Sequence, residues 1–194
     1  MSAALYDAGG ARKYLTESER ATFLREAEKA EREVRTLCGT LAYAGCRISE
    51  ALALTADRVD FAQGVLVFES LKKRKRGVYR AVPVPPALLD ALDLVHYIRA
   101  AQKGKDAGKK TLLWPWSRAT AWRRVKEVME AAGLKDPASA TPKGLRHSFG
   151  VAAVSKGIPL NLVQRWLGHA QLSTTAIYAD AVGAEEKNIA SRMW

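Results

Sequence analysis

The chain carries arginine, lysine, histidine and tyrosine side chains of the types needed to cleave a phosphodiester bond without a metal ion. A scissile phosphate gains negative charge in the transition state, so arginine side chains that bind its oxygens would stabilise that state. A nucleophile and a general acid for the departing oxygen would complete such a site. The chain supplies these groups in the order Arg47, a lysine-rich stretch at 72–76, Lys143, Arg146, His169 and Tyr178.

Each of these residues, taken alone, also has an ordinary structural interpretation. Arg47 could be a surface arginine paired with Glu50 one helical turn later. His169 follows Leu167 and Gly168 and could satisfy the end of a helix. Tyr178, nine residues after His169, could anchor a C-terminal helix with its ring. Only the occurrence of all these residues in this order favours a catalytic role over a structural one.

The charge of the chain indicates a polyanionic partner. Lysine and arginine number 31 against 20 acidic residues, which gives a net charge of +11. Two basic runs stand out, KKRKR at 72–76 and KGKDAGKK at 103–110, although either run alone is typical of a solvated loop. A domain this basic favours nucleic acid as its partner. We expect the DNA-binding side chains to be Lys72, Arg74, Lys75, Arg76, Lys103, Lys105, Lys109 and Lys110.

The sequence predicts a cytoplasmic protein without a metal or other cofactor. Cys38 and Cys46 fall in one predicted helical region, so we do not expect a disulfide, and three histidines without a C-x-x-C pair do not suggest a structural zinc site. No stretch approaches the roughly 18 apolar residues of a membrane span. The start MSAALYDAGGARKYL lacks the apolar core of a signal peptide.

The elements that must position these groups are mainly helices around one small antiparallel sheet, which is an α+β fold in a single domain. Thr16 and Glu19 form a capping box, and Ser173 or Thr174 is expected to cap the segment that holds Tyr178. Two strands, at 65–71 and 78–84, form a β-hairpin, and the turn between them is KRKRG. Helical periodicity predicts helices near 16–30, 33–45, 47–54, 86–101, 120–133, 143–157, 161–168 and 185–193.

The combination of these residues and motifs resembles the catalytic domain of the tyrosine recombinase (phage integrase) family over roughly residues 13–185. LAYAGCRISEALAL is similar to the first arginine box, with Arg47 at the clamp position and Glu50 as the carboxylate that orients it. FESLKKRKRGVYRAVPVP resembles the hairpin that brings a lysine to the scissile phosphate. GLRHSFG matches the second arginine box at Arg146, and LGHAQLSTTAIY matches the closing box with His169 and Tyr178. The resemblance implies the tyrosine recombinase catalytic-domain fold.

The resemblance also implies a mechanism. Tyr178 would attack a phosphate of double-stranded DNA and form a 3′-phosphotyrosyl link without metal or ATP, while Arg47, Arg146 and His169 stabilise the transition state. A hairpin lysine would protonate the leaving 5′ oxygen, and we favour Lys73, with Lys72 and Lys75 as alternatives. The implied function is site-specific DNA recombination. The alternatives are a catalytically weak or inactive DNA-binding protein of the same fold and a topoisomerase-like enzyme that relaxes DNA.

The chain departs from the family pattern in its second arginine box. The box usually reads His-x-x-Arg, but position 143 is lysine. A lysine can donate to a phosphate oxygen, but it does not exchange a proton near neutral pH as an imidazole does. We therefore expect Lys143 to add charge and the rate or the proton transfer to be altered. His147, directly after Arg146, is not at the family's catalytic histidine position, and we expect it to be structural.

The two ends of the chain carry further expectations. Family members usually have an N-terminal helical domain that clamps DNA, which we expect to be absent here, with residues 1–12 flexible. The chain would then be either a catalytic fragment or a naturally short recombinase, as fimbrial-switch invertases are. The tail at 184–194 is expected to form a helix with an apolar face. The resemblance implies that this tail docks on a neighbouring protomer in a dimer or tetramer on DNA, and docking on its own domain is the alternative.

Overall fold

A computed structural model describes residues 5–70, 77–104, 110–180, 190, 191 and 193 of this chain. Several predicted positions therefore lie outside the described residues, namely Lys72, Lys73, Arg74, Lys75, Arg76, Lys105, Lys109 and most of the tail at 184–194. The described helices are α1 (Glu17–Ala27), α2 (Arg32–Ala44), α3 (Ile48–Leu52), α4 (Pro86–His96), α5 (Ile98–Lys103), α6 (Arg118–Ala131), α7 (Pro142–Ser155), α8 (Leu160–Leu167) and α9 (Ser173–Ala176).

Polar side chains cap the N-termini of several of these helices. The Thr16 hydroxyl accepts the Glu19 N–H at 3.2 Å, and the Glu19 carboxylate accepts the Thr16 N–H at 2.7 Å, which confirms the capping box. Ser117 caps α6 and Thr141 caps α7 by the same kind of contact. The expected cap at Ser173 or Thr174 is wrong. The helix α9 follows Leu172 without a side-chain cap, and it continues into a 3₁₀ turn at Ile177–Asp180.

The sheet contains the predicted hairpin and one additional strand. Strands β2 (Val65–Glu69) and β3 (Tyr79–Pro83) pair antiparallel, with Phe68 opposite Arg80. A third strand, β1 (Val59–Asp60), pairs with the other edge of β2. Two residues are too few to show an alternating pattern, so the sequence did not predict β1. The sheet places the side chain of Arg80 on the buried side of β3.

The predicted helix over 86–101 is interrupted at Tyr97, which is a correction to the periodicity argument. Tyr97 adopts the left-handed conformation with φ 53°, ends α4 and begins α5. The Asp93 carboxylate stabilises this break because it accepts the Arg99 N–H at 2.8 Å and pairs with the Arg99 guanidinium at 3.1 Å. Periodicity continues across the break, since Leu92 and Ile98 are both fully buried.

The core is built around α2, whose Leu37, Cys38 and Leu41 are fully buried. Trp114 packs into the same core and donates its indole N–H to the Glu33 carbonyl at 2.9 Å. Cys38 and Cys46 are buried free thiols, and burial raises the pKa of each to about 12. None of the helices in the described part of the chain is long and apolar enough to cross a membrane.

A second, smaller apolar cluster forms around Tyr178, Val163 and Leu167. Helix α7 joins it to the main core, because Leu145 faces the main core and Val151 belongs to the second cluster. Near the N-terminus, Leu5 is buried in this cluster and Tyr6 pairs with Arg12 in an isolated bridge. The helix α7 and the chain around Tyr178 are therefore held together by apolar packing.

The turn between α2 and α3 generates a testable prediction at Gly45. Gly45 has φ 58°, and a Cβ there would lie 2.5 Å from the Phe149 ring. Gly64 has φ 67° but nothing within 4 Å of such a Cβ. We expect Gly64→Ala to lower the free energy of unfolding by about 1 kcal/mol through backbone strain alone. Gly45→Ala adds a clash that costs about 1–3 kcal/mol more.

Urea unfolding of the two glycine variants beside the unmodified protein measures this difference. Both substitutions are expected to leave the m-value unchanged, since neither changes the surface exposed on unfolding. Equal losses of stability for Gly45→Ala and Gly64→Ala would show that the packing of Phe149 on the turn contributes nothing.

Candidate active site

The predicted catalytic residues that the structure describes converge on one cavity of about 570 Å³. Arg47 comes from the residue before α3, Lys143 and Arg146 from α7, His169 from the residue after Gly168, and Tyr178 from the 3₁₀ turn. No acidic side chain lines this cavity among the described residues. Such a site favours an anionic ligand, because the positive charges at the cavity outnumber the nearby negative ones.

Arg47 is held by Glu50, as the sequence predicts. The Arg47 guanidinium donates to one carboxylate oxygen of Glu50 at 2.8 Å, and the Arg47 backbone N–H donates to the other at 2.8 Å. The Arg47 side chain remains 29% exposed, whereas that of Glu50 is 1% exposed. The carboxylate thus fixes Arg47 from the protein side and leaves part of the guanidinium accessible from the cavity.

A buried arginine that sequence reasoning did not assign to the site shares the same carboxylate. Arg80 on β3 donates from Nη2 to Glu50 at 2.6 Å and from Nε to the Trp166 carbonyl at 2.7 Å. Its Nη1 atom is buried and has no hydrogen-bond partner among the described residues. The sequence does contain one signal for the burial of Arg80. Side chains alternate between the two faces of a strand, so residue 80 of β3 lies on the same inward face as Val82.

Glu50 remains ionised although it is buried. Burial alone would raise the pKa of its carboxyl group, but the hydrogen bond and charge of Arg80, and then the backbone N–H and charge of Arg47, outweigh burial and lower that pKa below its usual value. An ionised Glu50 partly neutralises two arginines, so the cluster retains a net positive charge.

Arg146 lies between the ends of two helices. It donates from Nη1 to the carbonyl of Gly45, which caps α2, at 2.8 Å, and from Nη2 to the carbonyl of Leu167, the last residue of α8, at 2.6 Å. Carbonyls at helix C-termini lack partners within the helix and carry partial negative charge, so they suit a buried cation. Burial, followed by the nearby charge of Arg47, lowers the pKa of Arg146 to about 10, and the group is still cationic at neutral pH.

His169 takes part in both the helix end and the cavity. Its backbone N–H donates to the Gln164 carbonyl at 3.1 Å and helps to end α8, while its Nδ1 lies 2.9 Å from the Thr175 hydroxyl. Its ring stacks on that of Tyr178, with 16° between the planes and 6.3 Å between the centroids. Burial, followed by the charges of Arg146 and Arg47, lowers the pKa of His169 to about 3, so the imidazole is neutral.

The ring of Tyr178 is buried, with 2% of the residue exposed. It packs directly on Gly150, where a Cβ would lie 2.5 Å from its Cζ, so only glycine allows this approach. Burial raises the pKa of its phenol, although the charges of Arg146 and Arg47 oppose this effect. The hydroxyl is therefore protonated at neutral pH and must lose its proton to act as a nucleophile.

The structure places His147 at the Tyr178 hydroxyl, with Nδ1 and Oη 3.3 Å apart. Sequence reasoning expected only a structural role for His147, because it could not show which way this face of α7 points. Lys143, one helical turn earlier, is exposed and lines the cavity.

Other basic and aromatic residues divide into those at the cavity and those away from it. Arg118 and Trp122, one turn apart on α6, also line the cavity, and sequence reasoning missed both. Lys103 and Lys110 are exposed but do not line it. Within the described part of the chain, no group of three His, Cys, Asp or Glu side chains could hold a metal ion.

The shared carboxylate predicts a pH-dependent loss of stability in Glu50→Gln. The amide leaves Arg80 and Arg47 without a counter-charge, and we expect a loss of about 3–5 kcal/mol at neutral pH. Because the folded-state pKa of Glu50 is lowered, its stabilisation is full above the unfolded-state pKa and is lost as pH falls through the folded-state value. The difference between the variant and the unmodified protein should therefore shrink in acid.

Urea unfolding between pH 3 and pH 7 measures this difference, with Glu127→Gln as the matched control. Glu127 is 53% exposed and pairs with Arg123 and Arg124 only at the surface. Such exposed pairs contribute about 0–1 kcal/mol. If Glu50→Gln lowers the free energy of unfolding by no more than Glu127→Gln does, the buried carboxylate does not have the proposed importance.

Comparison with known proteins finds similar sequences and similar structures. The sequence pattern of the Phage integrase family matches residues 13–184. Tyrosine recombinase XerA of Pyrococcus furiosus is 31% identical over 188 residues, which cover 93% of this chain and 61% of that protein. The structure of XerH site-specific recombinase bound to palindromic difH substrate, a post-cleavage complex, matches with a TM-score of 0.75 and 25% identity and covers 100% of this chain and 57% of that one.

A further solved structure supports the fold alone. The Tn1549 transposon integrase in complex with transposon right end DNA has a TM-score of 0.66 and 19% identity, and the match covers 93% of this chain and 64% of that one. The chain thus spans less than two thirds of the length of each of these relatives. The match confirms the predicted α+β fold. Because the family pattern extends over most of the sequence and the described fold agrees with it, this chain belongs to the phage integrase family.

Proposed function

We propose that this chain is a site-specific recombinase that cleaves and rejoins double-stranded DNA through a 3′-phosphotyrosyl intermediate on Tyr178. The observation that carries the proposal is that the phenol of Tyr178 lies in the same cationic cavity as the guanidinium groups of Arg47 and Arg146. Membership of the phage integrase family supports it, and so does the solved post-cleavage complex of the similar XerH recombinase with difH substrate.

The two arginines would bind the scissile phosphate with little rearrangement. Arg47 is fixed by Glu50, and Arg146 by two backbone carbonyls, while each guanidinium has further N–H groups to donate. Donors that are already oriented stabilise developing charge more effectively than donors that must first reorganise. This geometry favours a role in the transition state, where the charge on the phosphate oxygens is greatest.

The remaining groups would supply further charge and proton transfer. Lys143 would add positive charge at the exposed side of the cavity. His169 is neutral, and when the Thr175 hydroxyl donates to its Nδ1, its Nε2 carries the proton and can donate to a phosphate oxygen. A lysine of the β2–β3 hairpin would protonate the leaving 5′ oxygen, with Lys73 favoured and Lys72 and Lys75 as alternatives.

The basic residues outside the cavity would bind the DNA backbone. The net charge of +11 and the exposed positions of Lys103 and Lys110 support this proposal. Lys105, Lys109 and the run Lys72, Lys73, Arg74, Lys75 and Arg76 would act in the same way. Contacts of this kind release counterions, so binding should weaken steeply as salt is added.

Substitution of the proposed nucleophile tests the function directly. Tyr178→Phe keeps the buried ring and removes the attacking oxygen, so DNA binding should persist while covalent attachment is lost. The measurement is a shifted protein–DNA band on a denaturing gel after incubation with a nicked double-stranded site. Tyr97→Phe is the matched control, because Tyr97 is 69% exposed and does not line the cavity.

The outcomes separate the proposal from its alternatives. A covalent band that survives in Tyr178→Phe would rule out this nucleophile. Absence of any band with the unmodified chain, together with normal DNA binding, would indicate a non-catalytic DNA-binding protein. Relaxation of supercoiled DNA without exchange between two sites would indicate a topoisomerase-like enzyme.

We propose that the tail at 184–194 joins protomers on DNA. Ile189, Ala190, Met193 and Trp194 have helical spacing, and a helix this short is marginal unless its apolar face is buried. Met193 is 81% exposed, so that side chain is not buried against its own domain. A neighbouring protomer would cover it and link the two active sites in a dimer or tetramer.

Removal of residues 184–194 tests this proposal. Binding to a single DNA site should be unchanged, because the cavity and the basic residues proposed to bind DNA remain. Strand exchange between two sites should be lost, because exchange requires several protomers to act together. The two measurements are a binding curve and a two-site recombination assay. Full exchange by the shortened protein would rule out the role of the tail.

A further inference from the structure

We propose that His147 receives the proton of the Tyr178 hydroxyl as the phenol oxygen attacks phosphorus, an inference that rests on the function proposed above. The sequence predicts only a structural role for His147. The structure instead places its ring nitrogen against the atom that must lose a proton in the first chemical step.

The geometry of the contact supports this role. Nδ1 of His147 lies 3.3 Å from Oη of Tyr178, and the two ring centroids are 5.9 Å apart. His147 is 6% exposed and is carried by α7, the same helix that carries Arg146. Gly150, also on α7, lets the tyrosine ring approach the helix closely. One rigid element therefore sets both the position of the phenol and that of its hydrogen-bond partner.

The other side chains proposed to act on the phosphate are poorer acceptors for this proton. The stacked ring of His169 is nearly parallel to the phenol ring, and its Nδ1 is already engaged with Thr175. Arginine and lysine cations are donors only, which excludes Arg47, Arg146 and Lys143 in their charged forms. Among the described residues, His147 is the imidazole that is hydrogen-bonded to the phenol oxygen.

The protonation state of His147 leaves a lone pair available. Burial, followed by the charges of Lys143, Arg146 and Lys13, lowers its pKa to about 4, so the ring is neutral at neutral pH. The titratable groups that face it are Tyr178 and these cations, and His169 lies close enough to interact with its charge. When Nε2 carries the single ring proton, Nδ1 accepts the phenol hydrogen bond.

A bound phosphate would strengthen this weak base when it is needed. Part of the lowered pKa comes from repulsion by Lys143 and Arg146, and both cations line the cavity proposed to hold the phosphate. The negative charge of a phosphodiester would offset that repulsion and raise the pKa of His147. The phenol oxygen also becomes more acidic as its bond to phosphorus forms, so transfer is easiest during the attack.

The step conserves atoms and electrons. The bond between Oη and phosphorus forms, the bond between phosphorus and the 5′ oxygen breaks, and its electron pair leaves with that oxygen. The phenol proton moves to Nδ1 of His147, and the 5′ oxygen takes a proton from the proposed hairpin lysine or from solvent. In rejoining, a 5′-hydroxyl attacks phosphorus and gives its proton to the hairpin lysine or to solvent. The bond between phosphorus and Oη breaks, and the His147 imidazolium returns its proton to the departing phenol oxygen.

Two substitutions at position 147 distinguish proton transfer from simple orientation of the phenol. Asn places an amide oxygen near the position of Nδ1, so it can accept the hydrogen bond but does not take up a proton. Leu can neither accept the hydrogen bond nor take up the proton. If His147 is the base, single-turnover formation of the covalent DNA adduct should fall by about 10²–10⁴-fold in both variants. His96→Asn is the control, because His96 contacts Thr36 and Trp114 away from the cavity and its change should leave the rate unaltered.

A more acidic nucleophile provides a readout that a structural role would not change. Replacement of Tyr178 by 3,5-difluorotyrosine, whose phenol ionises more readily, lessens the need for a base. In that background the defect of His147→Asn should shrink by at least about tenfold. Thermal unfolding and DNA binding check that the variants fold, and if His147→Asn does not fold, the effect of difluorotyrosine is measured with His147→Leu in its place.

Each result bears on either this proposal or the proposed function. Adduct formation at the normal rate by His147→Asn, while His147→Leu is slow, would overturn proton transfer and leave orientation as the role. An equal defect with tyrosine and difluorotyrosine would overturn it as well. Both results leave the proposed function standing, because the unmodified chain still forms the adduct. Failure of the unmodified chain to form any adduct would overturn both.

Discussion

The buried carboxylate of Glu50 bonded to two arginines is the interaction on which the geometry of the site depends. Arg47 at the start of α3 and Arg80 on β3 donate to different oxygens of this group, at 2.8 Å and 2.6 Å. A buried carboxylate is costly unless it is both paired and hydrogen-bonded, and this one accepts from two guanidinium groups and one backbone N–H. Loss of any partner would leave a buried charge uncompensated, so α3 and the sheet must keep their relative positions.

Helix ends extend this network across the cavity. Arg80 binds the Trp166 carbonyl and Arg146 binds the Leu167 carbonyl, so two cations meet the C-terminal end of α8. The next residues are Gly168 and His169, and a Cβ at position 168 would lie 3.1 Å from the Arg80 side chain. Arg80 and Arg146 therefore hold the helix end that directly precedes His169. One carboxylate does not balance three arginines. The Nη1 atom of Arg80 also has no hydrogen-bond partner among the described residues. A site with excess positive charge gains most when an anion binds.

The extent to which the sequence predicts this site depends on whether its contacts are local. The pairing of Arg47 with Glu50 and the capping box at Thr16 join residues one turn apart, so their spacing alone predicts them. Arg80 bonds to a residue 30 positions earlier and to one 86 positions later, and no local pattern indicates either contact. The break at Tyr97 is stabilised by the carboxylate of Asp93, which accepts the N–H of a residue six positions later. The periodicity of apolar residues does not predict such a contact. The hydrogen bond of His147 to Tyr178 likewise requires the packing of two distant elements.

In the proposed mechanism, α7 separates two tasks that a single histidine could combine. Lys143 and His147 are four residues apart, so both project from one side of the helix, with Lys143 exposed and His147 buried. An exposed lysine offers a permanent positive charge to a phosphate, whereas a buried imidazole beside that charge stays neutral and can accept a proton. The charge of Lys143 is itself one cause of the low pKa of His147. Binding of a phosphate to Lys143 would weaken that effect, so the ability of His147 to accept a proton would rise only when the substrate is in place.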